Sequence, residues 1–352
     1  MKRKTAIIGG GLAGLCAAIR LAELDNEPIV LEGGTYPCHK VCGEFLSPEC
    51  LDFLHRWNIY PQEILDVELN TLSSKLVFSF PSPAGGISHF QLDSALAAKA
   101  STLGIKISTE TKVKTILSKK TPQDLHCIIL ETGERMLVDR LIIATGRIPS
   151  YSSPPQTHYL GFKAHFKGIS LTNRLLLFSL PEAYIGLSPV ENETVNVAGL
   201  IKFSNHASID QATTINTLIS QHPDLSNKLS QGSNLFPEWM ITRLPSFGIK
   251  STPKWLDAYF IGDASITVPP ACGDGLAMAI IGGRLAAEYA VKNEFQAFKK
   301  QWDNQCRTHL YFAKLLHFCM LNPHLGATIM QLTSIFPSIA IQFFKLTRLT
   351  PV

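Results

Sequence analysis

A glycine-rich turn set between a strand and a helix constrains this chain more than any other feature. Lys4-Thr5-Ala6-Ile7-Ile8 is a short apolar run of the kind that forms a buried strand. Gly9-Gly10-Gly11-Leu12-Ala13-Gly14 follows at once, and Leu12 to Leu24 reads as a helix. The glycines let the backbone turn tightly and approach a pyrophosphate, and the helix start offers unpaired N–H groups to it. Pro28-Ile29-Val30-Leu31-Glu32 is a second strand ending in an acid. Glu32 lies roughly 20 residues past the fingerprint, where a carboxylate accepts hydrogen bonds from ribose hydroxyls. Gly9, Gly11, Leu12, Ala13, Gly14 and Glu32 are therefore candidate nucleotide contacts.

A second glycine motif stands almost a whole chain away. Ile261-Gly262-Asp263-Ala264 is followed by Pro269-Pro270-Ala271-Cys272-Gly273-Asp274-Gly275. Two grips this far apart in sequence fit one long dinucleotide held at both ends. That points to FAD, not to a freely exchanging nicotinamide, and a plain NAD-dependent dehydrogenase has no use for the second grip.

Length and composition bound the rest. A chain of 352 residues buries a large core and has room for two intertwined domains. A net charge of +4 is too small to argue for nucleic acid. After Asp303 there is no Asp or Glu, while Arg307, Lys314, Lys345 and Arg348 remain. Such a basic, apolar tail suits an anionic membrane surface or packing on its own protein. Lys2-Arg3-Lys4 and the apolar run after it resemble a signal peptide. The fingerprint accounts for the same residues, and cleavage would destroy the nucleotide site. The expected location is cytoplasmic, at the inner membrane face if the tail binds lipid. The eight cysteines are then free thiols, and no Cys/His spacing supports a metal.

The fold class expected is α/β: a Rossmann-like FAD-binding domain, an inserted antiparallel substrate sheet and a helical C-terminal region. Residues 1–72, 91–150 and 251–292 form the FAD-binding domain in three parts. Residues 73–90 are substrate-sheet strands, 151–250 the substrate domain, and 293–352 the apolar basic C-terminal helices. Ser47-Pro48-Glu49 predicts a helix start with a capping serine. Lys112 to Leu117, Leu125 to Leu130 and Arg135 to Val138 predict a small meander. Leu141 to Gly146 is an apolar strand for the middle of a parallel sheet. Ile209 to Ser220 and Asp224 to Ser230 read as amphipathic helices. Residues 295–347 are helical in pattern, broken at Pro323 and Pro337. Leu325 to Phe344 is uncharged and long enough to span a bilayer. Its proline, glutamines and hydroxyls favour two helices lying on the protein or on a membrane face.

The motifs in this order resemble the glutathione-reductase-type FAD fold. More narrowly they resemble the branch of p-hydroxybenzoate hydroxylase-like monooxygenases, flavin-dependent halogenases and geranylgeranyl reductases. Lys40-Val41-Cys42-Gly43-Glu44, Leu92-Asp93, Ala144-Thr145-Gly146 and the Gly262-Asp263 region carry the resemblance. It implies that Lys40, Val41, Cys42 and Gly43 lie beside the flavin ring. It places Asp263 on the ribityl chain, and the loop Pro270, Cys272, Gly273, Asp274, Gly275 along the ring edge. Val113 falls where such proteins contact adenine, and Thr145 and Gly146 also belong to the cofactor site. Cys42 and Cys272 admit a redox reading or a space-filling one, since no His or second Cys is evidently paired with Cys42.

Departures narrow the activity. His89 stands where an Arg is usual. Thr145-Gly146-Arg147 replaces the Asp-Gly of hydroxylases. Pro181 to Val190 echoes the reductase pattern Tyr-x-Trp-x-Phe-Pro-Lys: Tyr184 and Pro189 match, but Gly186, Ser188 and Val190 replace Trp, Phe and Lys. The missing Lys argues against an isoprenoid diphosphate. No Trp-x-Trp-x-Ile-Pro halogenase motif is present.

The expected function is an FAD-dependent oxidoreductase acting on a lipid-, quinone- or polyketide-like substrate by hydride transfer at flavin N5, with NAD(P)H as a candidate external donor. Tyr184, His165 and Tyr159 are candidate substrate-orienting residues on the inserted sheet, with Cys272 beside them. The alternatives are a monooxygenase working through a flavin C4a-peroxide, and a membrane-associated flavoprotein with no turnover of its own.

Overall fold

A computed structural model of the chain describes residues 3–121, 124–147, 157–202, 210–245, 247–335, 342 and 346–348. The apolar run after Lys4 does become a central strand. Thr5–Ile8 pairs in parallel with Pro28–Leu31 on one side and Arg140–Ile143 on the other. Lys106–Ser108 and Tyr259–Phe260 complete a five-stranded sheet. The central strands Thr5–Ile8 and Arg140–Ile143 are buried on both faces, as apolar parallel strands must be.

Eight helices lie among the described residues: α1 (Leu12–Glu23), α2 (Leu51–Arg56), α3 (His89–Thr102), α4 (Gln211–Ser220), α5 (Pro223–Leu229), α6 (Gly275–Lys292), α7 (Phe295–Met320) and α8 (Pro323–Ile335). Helix α1 packs between the sheet and α6. The approach is close: a Cβ on Gly283 of α6 would lie 2.5 Å from the Ala13 carbonyl oxygen. The apolar faces of α1, α3 and α6 and the ring of Trp302 from α7 make one core with Ile7, Val30 and Ile142. On the other face, the meander Val113–Leu117, His126–Leu130 and Arg135–Val138 covers Ala6, Ile8 and Leu141.

The second sheet has nine strands and is mixed, not wholly antiparallel as expected. Thr157–Lys167, Thr194–Lys202, Ala183–Val190 and Arg174–Leu180 run antiparallel in that spatial order. Arg174–Leu180 then pairs in parallel with Gln62–Asn70, which pairs antiparallel with Lys75–Gly86. The parallel join exists because two separate excursions of the chain meet edge to edge, with no hairpin to impose an antiparallel sense. Gln62–Asn70 falls within residues 1–72, the first expected part of the FAD-binding domain, yet it pairs in the large sheet. Leu65, Val67 and Leu69 alternate with Asp66, Glu68 and Asn70, which marks a strand but does not say which sheet takes it.

Two smaller expectations also shift. Ser47 does not cap backbone; its hydroxyl donates to Glu49 at 2.8 Å, and a 3-10 turn over Pro48–Cys50 precedes α2. The capping serine is Ser88, which accepts from the Gln91 N–H at 3.1 Å and starts α3 at His89. Pro323 begins α8, a position that needs no N–H. Ile209, Pro337 and most of the stretch after Ile335 lie outside the described residues.

Candidate functional site

Where the two sheets face each other lies a cavity of about 1180 Å³. That exceeds the roughly 300–1,000 Å³ of a typical small-molecule site. One arm is lined by Gly9, Gly11, Leu12 and Ala13, by Glu32, Val113, Thr145 and Gly146, and by Gly262 and Asp263. The other is lined by Val67, Leu69, Phe78, Leu175 and Leu177 of the large sheet and by Leu316, Met320 and Met330 of the C-terminal helices. Between the arms stand Lys40, Val41, Cys42 and Gly43 on one side, and Pro270, Cys272, Gly273 and Gly275 on the other.

The first arm fits the dinucleotide that the sequence implies. Gly9 has φ +102°, and a Cβ there would lie 2.3 Å from the Ala144 carbonyl oxygen. A Cβ on Gly14 would lie 1.9 Å from the Gly9 oxygen. Gly14 is therefore a packing residue outside the cavity wall, and it lets α1 start tight against the turn. Gly11 caps α1 with no side-chain bond, leaving the helix-start N–H groups for an anion. Glu32 accepts from the Gly34 N–H at 2.7 Å, which fixes its carboxylate at the cavity edge. Asp263 faces Arg147 at 3.4 Å, a partner the sequence reading did not assign.

The loop of Lys40 to Glu44 is held by two buried charge clusters. In the first, Asp93 accepts from Lys40 at 2.6 Å and sits 3.2 Å from His89 Nδ1. His89 in turn interacts with the Cys42 thiol, each shifting the other's ionisation. This overturns the reading that Cys42 has no histidine partner. His89 and Asp93 are one helical turn apart, and that spacing was the available signal; only the fold brings Cys42 to them. Burial alone would depress His89, but the hydrogen bonds to Asp93 and Cys42 outweigh it and raise its pKa to about 10. Burial alone would raise Cys42, but the His89 hydrogen bond and charge hold it below the ordinary thiol value. His89 therefore stays protonated at neutral pH, the thiol is made easier to ionise by that charge, and both residues line the cavity.

The second cluster centres on Glu44, fully buried with φ 54°. It accepts from the Lys163 ammonium, from the His89 N–H at 2.8 Å and from His165 Nε2, also at 2.8 Å. Burial pushes its pKa up, but His165 and Lys163 more than compensate and hold it low. His39, Glu44 and His165 place potential ligand atoms within 4.8 Å of one another. Both Glu44 oxygens are already engaged, and the Lys163 charge beside them opposes a dication.

The candidate substrate residues divide. Tyr184 is buried in the cavity wall and packs beside Ala271 of the ring-edge loop; Cys272 also lines the wall. His165 does not line it, because Glu44 holds it behind the loop. Tyr159 does not either: it stacks on Phe247 at 4.8 Å and meets the His317 ring at 5.2 Å. Asp274 turns away from the cavity. Arg348, from the far end of the chain, pairs with its carboxylate and donates to the Cys272 carbonyl at 2.8 Å. His309 Nε2 lies 3.4 Å from the same carboxylate. The eight cysteines are free.

Comparison with known proteins agrees with this geometry. Residues 4–41 match the FAD binding domain family. The chain is 21% identical over 348 residues to the menaquinone reductase of Mycolicibacterium smegmatis, covering 86% of this chain and 80% of that one. Its fold is similar to the flavin-dependent brominase Bmp2 (TM-score 0.78, 15% identity, 99% of this chain and 95% of that one). It is also similar to a point variant of Klebsiella pneumoniae HpxO complexed with FAD (TM-score 0.76, 13% identity, 98% and 99%). The nucleotide cradle, the FAD-binding match and the relatives together indicate an FAD-dependent oxidoreductase with the fold of the flavoenzymes.

Proposed function

We propose that the protein reduces a quinone-like, largely apolar substrate, using electrons that NAD(P)H supplies from outside. The observation that carries this reading is the continuity of the cavity. The nucleotide arm opens directly into an arm walled by Leu69, Phe78, Leu175, Leu177 and Met320. Such a wall favours an apolar body and offers few polar groups to anything else. The similarity to menaquinone reductase supports the quinone class.

Gly9, Gly11, Leu12, Ala13 and the start of α1 would hold the pyrophosphate, Glu32 the adenosine ribose and Val113 the adenine edge. Asp263, steadied by Arg147, would take the ribityl hydroxyls. Thr145, Gly146 and the loop of Pro270, Gly273 and Gly275 would lie against the ring system. Bound FAD supplies hydride exchange at N5. A hydride alone does not complete the two-electron reduction of a neutral double bond; one proton must also arrive. His89 holds that proton at neutral pH at the cavity wall, beside Cys42. Asp93 and Lys40 fix the pair in place. After delivery the pair is one proton short and recovers it from solvent. Tyr184 orients the substrate against the ring-edge loop.

The test is anaerobic reduction of the purified FAD-loaded protein, followed by mixing with a short-chain naphthoquinone. The expected result is flavin reoxidation whose rate saturates with quinone concentration, and which slows at least about tenfold in Cys42→Ala and His89→Gln. No saturable reoxidation by quinone, with reoxidation only on admitting oxygen and a hydroxylated product, would replace this reading with a monooxygenase.

A further inference from the structure

The substrate cavity opens onto a face that carries its own pattern. Along α7, Arg307, Tyr311, Lys314, Leu315 and Phe318 are all exposed. Their three- and four-residue spacing sets them on one side of the helix. Tyr311 is 69% exposed and Phe318 57%. Along α8, Leu332 is 53% exposed and Ile335 67%. The two helices are in contact, and the connection between them is pinned to the large sheet. Ser179 donates to the Met320 carbonyl at 2.7 Å, and the Glu182 N–H donates to the Leu321 carbonyl at 3.1 Å.

Two residues belong to both surfaces. Leu315 and Ile329 line the cavity and are also exposed, at 44% and 37%. The mouth of the apolar arm is therefore framed by the α7–α8 face. A set of exposed large apolar side chains of this kind marks an interaction site. Its charge selects the partner: no Asp or Glu follows Asp303 in the sequence, and Arg307 and Lys314 stand among the apolar residues. Among the described residues no helix is long and apolar enough to cross a membrane. A basic, aromatic and aliphatic helix face that cannot span lies in the interface plane.

We propose that the α7–α8 face docks on an anionic lipid bilayer, and that an apolar substrate passes from the bilayer into the cavity between Leu315 and Ile329. The passage of substrate rests on the quinone reading above; the docking does not. Docking places the mouth against the phase in which an apolar substrate dissolves. It also removes the need to carry that substrate through water.

Flotation of the full-length FAD-loaded protein with vesicles tests this. One set is phosphatidylcholine alone, the other contains phosphatidylglycerol as well. The protein is expected to float with the anionic vesicles and to lose that binding as salt rises. Phe318→Glu with Leu332→Glu, neither of which lines the cavity, is expected to bind at least about tenfold more weakly. The same variant should keep its flavin spectrum and its turnover of a water-soluble short-chain quinone, while turnover of a long-chain quinone in vesicles falls. Failure to float with either vesicle overturns the docking. So does equal flotation of the variant, or a concentration-dependent dimer that the variant abolishes. Flotation with no quinone turnover in any form leaves the docking standing and removes the quinone reading instead.

Discussion

The protonated His89 imidazole acts on the Cys42 thiol and lowers its pKa, and both residues line the cavity. They come from different elements, one a loop and the other the first turn of a helix. Asp93 holds the far side of the ring at 3.2 Å. Cysteine reactivity follows thiolate fraction and local positive charge, so this contact sets what Cys42 does.

Alkylation should reveal the pair directly. With FAD removed, Cys42 is expected to react with iodoacetamide at pH 7 well ahead of buried Cys16 and Cys272, whose thiols burial pushes far up. His89→Gln should slow Cys42 at that pH by at least about tenfold. Mass spectrometry of the modified peptides reads the result; equal labelling in the variant would dissolve the pairing.

Gly14→Ala should remove the cofactor. The new Cβ would meet the Gly9 carbonyl oxygen at 1.9 Å, and backbone cannot yield by a side-chain rotation. Overpacking of this kind typically costs about 1–3 kcal/mol, and here the strain falls on the turn that approaches the pyrophosphate. The expected preparation is colourless, with a lowered unfolding midpoint that added FAD does not restore.

Breaking the Glu44–Lys163 pair should destabilise the protein strongly. Both side chains are fully buried. Removing one partner of a buried pair leaves an uncompensated charge, at about 3–5 kcal/mol. Urea unfolding of Glu44→Gln should show a loss on that scale. Glu44→Gln with Lys163→Met should recover part of it, because no ammonium is then left alone.

Stability should fall on acidification between about pH 6.5 and pH 4. Burial lowers His309 and His317 to about 4 each. A histidine kept neutral by the fold charges more readily when unfolded, so the unfolded state binds more protons over that interval and stability rises with pH. The contribution is fully present above the unfolded value and is lost as pH drops towards 4. Glu44, whose carboxyl is held low, acts in the same direction at the acid end. Thermal midpoints measured from about pH 7.5 to about pH 4.5 check this, and His317→Phe should flatten the slope. The ring would stay among Tyr159, Tyr184 and Phe247, which already surround it.

What the sequence determined by itself is the nucleotide cradle. Strand, glycine turn, helix, strand and acid occupy residues 4–32 without interruption, and each acts through near neighbours. Gly9, Gly14 and Glu32 could therefore be read from spacing alone. The meander and the helical C-terminal pattern were legible for the same reason: their signals are local periodicities. The place of Gln62–Asn70 in the large sheet was not: Leu65, Val67 and Leu69 alternate as a strand does, but the sheet that takes it is decided by distant partners. Tertiary structure alone decided that His89 meets Cys42, that Glu44 takes His165 out of the cavity, and that Arg348 reaches Asp274. Each of these joins residues from separate elements. Buried charge settles on whichever opposite charge the packed fold delivers, and distance along the chain carries no trace of that choice. The glycines at the two ends specify the cofactor locally, whereas the chemistry beside it is assembled only when the sheets close.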